Sequence, residues 1–501
     1  MWLTQLFSKF RSAQSVQPRS LPINFYNTLT KGREEFTLPP IAHTVRMYNC
    51  GPTVYGRQHI GNLSMFVFAD ILRRVLEYNG YTVKQVINFT DFGHLSGDNE
   101  GDADHGEDRM TKGLKAEGLA ITMENMKVLA RKYADIFIED IKQLNVDTDK
   151  ITFPYASDFI TAQVAMIQTL IEKEYAYVIS DGVYFDTARF PKYGELGGVD
   201  IKGLREGARV DANEEKRNPT DFALWKFDKK LGWESPWGLG FPGWHIECSA
   251  MIRRTLGEQI DIHTGGIEHI PIHHNNEIAQ SEAATGKSPF SRFWMHRAHI
   301  QIDDRKIAKS EGNVVYLSEI IEKGYHPLAL RYLFLGAHYR ASMNFTWSSL
   351  DAASTAYLKL QKIAQEAPEG GVAPESYIAR MHERVNDDLD TPGALSILWE
   401  MVKDNTLTPA DIRAGLVEID SVLGLGFGTL DASVTAAFRR KFGHVITLEN
   451  APAEIRTLIV TREAARAAKD WKRSDEIRDE IAKLGFSVED TPEGVRISER
   501  P

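Results

Sequence analysis

The chain has 501 residues, 43% of them hydrophobic and 26% charged, with a net charge of −10. This is ordinary globular composition for two to four domains. It excludes a transmembrane helix, because no run of roughly 18 apolar residues occurs, and it excludes a disulfide framework, because only two cysteines are present.

The N-terminal extension, residues 1–22, carries Lys9, Arg11 and Arg19 and no acid, with Trp2, Leu3, Leu6, Phe7 and Phe10 as an apolar stripe. It reads as a short lead-in to a cytoplasmic enzyme; the alternative is a transit peptide for the mitochondrial matrix. Residues 23–149 open a nucleotide-binding type of sheet. A strand ends at Cys50, and a helix follows His59 with Phe66, Val67, Ile71, Leu72, Val75 and Leu76 on its inner side. Asn79-Gly80 stops the helix, and Val83 to Thr90 forms the next strand. Such a β-α-β unit belongs to a doubly wound, Rossmann-like parallel sheet. An acidic loop, Ser96 to Glu107, precedes a long helical stretch from Leu114 to Asn145.

Residues 150–220 read as an α+β connective insertion, with a strand over Gly182 to Asp186. The parallel sheet is expected to resume over 221–313. Helices follow over 314–365, then a linker (Ala367 to Pro374), a helical domain over 375–445, and a small domain over 452–501 with a helix pair and a hairpin from Gly485 to Ile497.

Both cysteines lie beside histidine-rich segments. Cys50 precedes His59-Ile60-Gly61-Asn62; Cys248 closes Gly243-Trp244-His245-Ile246-Glu247-Cys248 and precedes His273-His274-Asn275-Asn276-Glu277. A chain that avoids cysteine elsewhere points to metal or reactivity at these two. His273 and Glu277 are spaced to share one helix face. Cys50, Cys248, His273 and Glu277 would complete a tetrahedral zinc set; a closed structural zinc or a buried, metal-free pair are the alternatives. His59 sits where a strand turns into a helix, the place where amides and the helix dipole attract phosphate. Gly61 would admit a nucleotide close to the backbone. Lys306 and Lys309, in Lys306-Ile307-Ala308-Lys309-Ser310, suit a leaving pyrophosphate.

Together the two motifs make the chain resemble the class I aminoacyl-tRNA synthetases, whose signatures are His-Ile-Gly-His and Lys-Met-Ser-Lys-Ser. Cys50-Gly51-Pro52-Thr53-Val54-Tyr55, the Gly243 to Met251 segment and His273 to Glu282 are similar to the cysteinyl-tRNA synthetase family. The chain departs from that pattern at Asn62, Ile307, Ala308, Glu268 and Asn275. The resemblance implies a cysteine–tRNA ligase, acting as a monomer on L-cysteine, ATP and cysteine tRNA. It implies one zinc on Cys50, Cys248, His273 and Glu277, with His274 the alternative imidazole, and magnesium travelling with ATP. Catalytic roles fall to His59, Asn62, Lys306, Lys309 and Ser310; ATP contacts to His59, Gly61, Asn62, His263, Lys306 and Lys309; the amino-acid pocket to Thr53, Thr90 and Trp244. Trp471, Lys472, Arg473 and Arg478 are offered to the tRNA. Two other functions share the motifs: a cysteine-activating ligase with a small-molecule amine acceptor, similar to the enzyme of mycothiol synthesis, and a catalytically silent RNA-binding paralogue.

Overall fold

The computed structural model describes residues 21–499, apart from 40–41, 93–108, 199–213, 308–311, 492–493 and parts of 430–447. The expected loop Ser96 to Glu107, together with Lys309 and Ser310, lies outside the described residues.

A hairpin of β1 (Asn24–Asn27) and β2 (Gly32–Glu35) leads into β3 (Thr44–Asn49), α1 (Ile60–Tyr78) and β4 (Thr82–Ile87). The β-α-β unit read from the sequence is present. His59 caps α1, its imidazole accepting from the Asn62 amide, and Gly80 closes the turn after the helix at φ 88°. All six residues expected on the inner side of α1 are buried.

The helix is buried on nearly every side, which puts the Asp70 carboxylate in the core. Burial alone would favour its neutral form. Arg331, Arg74 and Arg73 overcome this and hold its pKa down to about 2; Arg331 Nη2 and Arg74 Nε each donate to Asp70 Oδ2 at 2.7 Å. Replacing Asp70 by Asn should therefore destabilise the fold by about 3–5 kcal/mol, because fully buried Arg331 loses its counter-charge. The folded pKa lies below the unfolded value of about 3.9. The carboxylate's contribution is thus complete at neutral pH and fades as pH falls through roughly 4 towards 2. Thermal unfolding at pH 7 and pH 3 should show the Asp70→Asn penalty shrinking in acid.

The expected continuous helix from Leu114 is two helices, α2 (Arg109–Ala116) and α3 (Met123–Gln143). Gly118 adopts φ 68° and Thr122 caps α3, accepting from the Asn125 amide, so the chain restarts there. A second correction concerns the insertion. After β5 (Ile151–Thr152) and α4 (Ile160–Glu172), β6 (Ala176–Ile179), β7 (Gly182–Phe185), β8 (Phe222–Phe227) and β9 (Gly240–Pro242) form one antiparallel sheet. The run at Phe222 is a strand as expected, but it pairs with the insertion. A strand's local pattern specifies a pleated, half-buried surface, not its partner.

The parallel sheet resumes with α5 (Trp244–Thr255), β10 (Ile260–Gly266), α6 (Asn275–Thr285) and β11 (Ser291–Arg297). Its order is β11-β10-β3-β4-β5, parallel throughout. Strand order reverses between β3 and β10, and a sheet of this kind opens its ligand crevice outside the carboxyl ends of such a pair.

β12 (Ile300–Ile302), β13 (Arg305–Lys306) and β14 (Met343–Phe345) make a small sheet beyond β11. Helices α7 (Leu317–Glu322), α8 (Pro327–Leu335), α9 (Trp347–Glu366), α10 (Glu375–Asn386), α11 (Thr391–Val402) and α12 (Pro409–Leu423) follow. The stretch Ala367 to Pro374 does join two helices, yet Ile378, Leu398 and Ile419 share one apolar core with Leu63 and Val75 of α1. The final segment, α13 (Ala453–Ala467), α14 (Trp471–Lys483) and the hairpin β16 (Phe486–Thr491) and β17 (Gly494–Glu499), has its own core of Ile455, Ile459, Ile477, Ile481 and Ile497. A third strand, β15 (His444–Ile446), extends that hairpin. No helix among the described residues is long and apolar enough to cross a membrane.

Candidate active site and metal centre

β3 delivers Cys50 to the switch point. Its amide donates to Thr264 O on β10 at 3.2 Å, and the Gly51 amide donates to Asn88 Oδ1 at 2.9 Å. A Cβ at Gly51 would collide with the Asn88 carbonyl, so only glycine lets the exits of β3 and β4 lie this close. Cys248 projects from α5, and Glu277 from the first turn of α6. His273 and His274 lie in a π-turn, Ile270 to His274, that runs into α6. Such wide turns often mark functional positions in helices.

The ligating atoms of Cys50, Cys248, His273 and Glu277 all lie within 4.8 Å of one another, and all four residues are buried. His273 Nε2 is 3.0 Å from Glu277 Oε1, as the i, i+4 spacing predicts. A second set, Cys50, His263, His274 and Glu277, meets the same distance limit. The first matches zinc better, because it holds both soft thiols.

Charge in the site is already arranged for metal. Burial pushes the Cys50 thiol well up, whereas the hydrogen bond from Cys50 brings Cys248 down to about 6. Burial would lower His273, but bonds to Cys248 and Glu277 raise it to about 10. Against burial, His263 and His273 hold Glu277 well below the usual carboxylate range. Binding of a cation would displace the His273 proton and take its place among the anionic ligands.

A second layer of imidazoles contacts both candidate histidine ligands. His245 Nδ1 is 2.8 Å from His273 Nδ1, and His296 Nε2 is 2.8 Å from His274 Nδ1. Partners of this kind fix the ring orientation of a metal ligand. Sequence reading missed both. His245 sits inside the same Gly-Trp-His-Ile-Glu-Cys string as Cys248 and carried a signal there; His296, in a strand of mixed residues, carried none.

Of the three residues expected in the amino-acid pocket, Trp244 lies against His273 and Thr90 contacts Glu247, the neighbour of Cys248. The Trp244 ring is half-buried, with its centroid 4.3 Å from that of His273. Thr53 and Thr90 pair as a parallel bridge, and Thr90 Oγ1 donates to Glu247 Oε2 at 2.8 Å. Glu247 was not anticipated; it lies fully buried on α5 between Trp244 and Cys248.

His263, expected at ATP, is fully buried on β10, with Nε2 3.0 Å from Glu277 Oε2 and its ring stacked on Trp294 at 4.5 Å. Its Nδ1 has no hydrogen-bond partner among the described residues.

The histidine and lysine motifs meet in space. A Cβ at Gly61 would come within 2.9 Å of Ile307 Cδ1 and 3.0 Å of the His59 ring. The Ile60 amide donates to Val315 O at 3.0 Å, and Asn313 Nδ2 donates to Lys306 O at 3.2 Å. Lys306 is exposed on β13, where it pairs with Gln301 of β12. Asn62 is half-buried in the first turn of α1.

Known proteins resemble this chain. Residues 38–355 match the model of the class I (C) tRNA synthetase catalytic domain, and residues 449–497 match the cysteinyl-tRNA ligase anticodon-binding domain. The chain is 44% identical over 483 residues to Cysteine–tRNA ligase 1 of Burkholderia lata, covering 95% of this chain and 97% of that protein. The chain belongs to the cysteine–tRNA ligase family. A second member, from Caldicellulosiruptor saccharolyticus, is 41% identical over 502 residues, covering 95% of this chain and 99% of its own. The solved Mycobacterium tuberculosis methionyl-tRNA synthetase with methionyl-adenylate shares the fold, with a TM-score of 0.53 at 13% identity over 77% of this chain and 92% of that one.

Within this family chain, the matched C-terminal segment presents Trp471 at the start of α14, 56% exposed, with the Arg466 guanidinium 5.5 Å from its ring centroid. It is a surface residue, not core. Lys472, Arg473 and Arg478 are exposed on the same helix; Arg473 pairs with Glu476 and Arg478 with Asp475.

Proposed function

We propose that the chain activates L-cysteine with ATP and transfers it to the 3′-terminal ribose of cysteine tRNA. The observation that carries this reading is the buried set of two thiols, an imidazole and a carboxylate at the switch point, with the Trp244 ring against His273. In the first step a carboxylate oxygen of cysteine bonds to the ATP α-phosphorus and pyrophosphate leaves. In the second a ribose hydroxyl bonds to the activated carbonyl and AMP leaves. Neither step needs covalent help from the protein; both need positioning and charge neutralisation.

His59 and Asn62 at the head of α1 contact the phosphates, and Lys306 and Lys309 neutralise the departing pyrophosphate, with Ser310 beside them. Gly61 keeps the helix start open to Ile307, which ties the lysine segment to the histidine motif. Magnesium accompanies ATP. Cys50, Cys248, His273 and Glu277 would hold zinc, which would supply a soft Lewis acid that favours a thiol over the nearly isosteric serine hydroxyl. His263 would hold the second oxygen of Glu277 and so orient that carboxylate. The enzyme is read as a cytoplasmic monomer.

Charging tests the assignment. Zinc-loaded protein with ATP, cysteine and cysteine tRNA should release AMP and form cysteinyl-tRNA in step; cysteine-dependent AMP release without charging would mean another acceptor. Removing residues 449–501 should leave pyrophosphate exchange within about twofold, because that segment has its own core, while charging falls by about tenfold or more. Equal loss of both activities would make the segment structural.

A further inference from the structure

Arg297 plays no part in the chemistry above. It ends β11, is 4% exposed, and has no acidic partner among the described residues. Its Nε donates to Ser64 Oγ at 2.8 Å, while Nη2 finds no protein acceptor. The side chain lines a cavity of about 20 Å³ together with Ser64, Phe68, Phe334, Tyr339 and Thr391.

The other polar groups of that wall are committed elsewhere. Thr391 Oγ1 donates to Leu335 O at 2.9 Å, and Tyr339 OH donates to Asp388 Oδ1 at 2.6 Å. Asp388 itself pairs with Arg340 at 2.7 Å, so its charge is already balanced. Burial lowers Arg297 only to about 10, which leaves it cationic at neutral pH. A buried cation without a counter-charge is unfavourable, and a water molecule satisfies its N–H but not its charge. The cavity exceeds the roughly 10–15 Å³ that one water needs, which leaves room beside Nη2 for a small anion.

We propose that Arg297 and this cavity bind a monovalent, chloride-sized anion. Ser64 connects the site to the catalytic face: its hydroxyl donates to Gly61 O at 2.7 Å, in the first turn of α1. The bound anion fixes Arg297, which fixes Ser64, which braces the helix start that carries His59 and Asn62.

Thermal unfolding of the zinc-loaded full chain in sodium chloride and in sodium gluconate, at equal ionic strength, tests this. Chloride should raise the Tm saturably by about 2 °C, and Arg297→Met, which fills the space without charge, should abolish the difference. An equal chloride effect in Arg297→Met, or none in the parent, would overturn the proposal. Crystals of the unaltered protein soaked in bromide give an independent reading. An anomalous peak beside Arg297 Nη2 supports the site; its absence there, with density for water alone, refutes it.

Discussion

Replacing Cys248 by Ser should abolish stoichiometric zinc and cut cysteine-dependent pyrophosphate exchange by about 100-fold or more, since even an outer partner of a metal ligand is worth about 10–100-fold. The two thiols share the site unequally. Cys50 holds its proton under burial, and Cys248, which accepts from Cys50 and faces His273, gives its proton up near pH 6. Cys248 is therefore the ligand that is anionic before metal arrives. A serine hydroxyl there is neutral and hard, and the change is nearly isosteric, so the fold should survive. Zinc content by atomic emission and exchange assays with cysteine and serine read the result. Normal zinc and activity would remove Cys248 from the centre and favour Cys50, His263, His274 and Glu277.

Replacing His59 by Ala should slow adenylate formation by about 100–1,000-fold, the scale of a lost donor at a developing charge. It should also destabilise α1 by about 1 kcal/mol, because the imidazole caps the helix. The two effects separate. Asn is a good cap but lacks an imidazole, so His59→Asn should recover the thermal midpoint and not the rate. A His59→Asn enzyme with parent-like pyrophosphate exchange would reduce His59 to a cap.

Parts of this architecture were legible because one local pattern admitted one solution. The apolar repeat from Phe66 to Leu76, started by His59 and stopped by Asn79-Gly80, left α1 little choice, and α1 fixes the β3–α1–β4 unit. The candidate metal set was legible because cysteine is otherwise absent and His273 and Glu277 keep helical spacing; the π-turn that holds His273 changed the backbone without moving the pair apart. What failed depended on partners distant in sequence. The Phe222 strand carries no mark of whether β7 or the parallel sheet receives it. The contacts of His263 with Glu277 and Trp294, 14 and 31 residues further along the chain, had no mark in its local sequence either. Gly118, a single residue inside an otherwise helical run, decided the break between α2 and α3.

The central claim is that the buried centre takes the substrate's sulfur. Zinc-edge X-ray absorption of the loaded enzyme, with and without substrate, tests it most directly. Two sulfur neighbours at about 2.3 Å are expected in the free enzyme, three after cysteine is added, and two when serine replaces cysteine. Two sulfurs in every state would mean a closed structural metal, and the selection of cysteine would have to lie elsewhere.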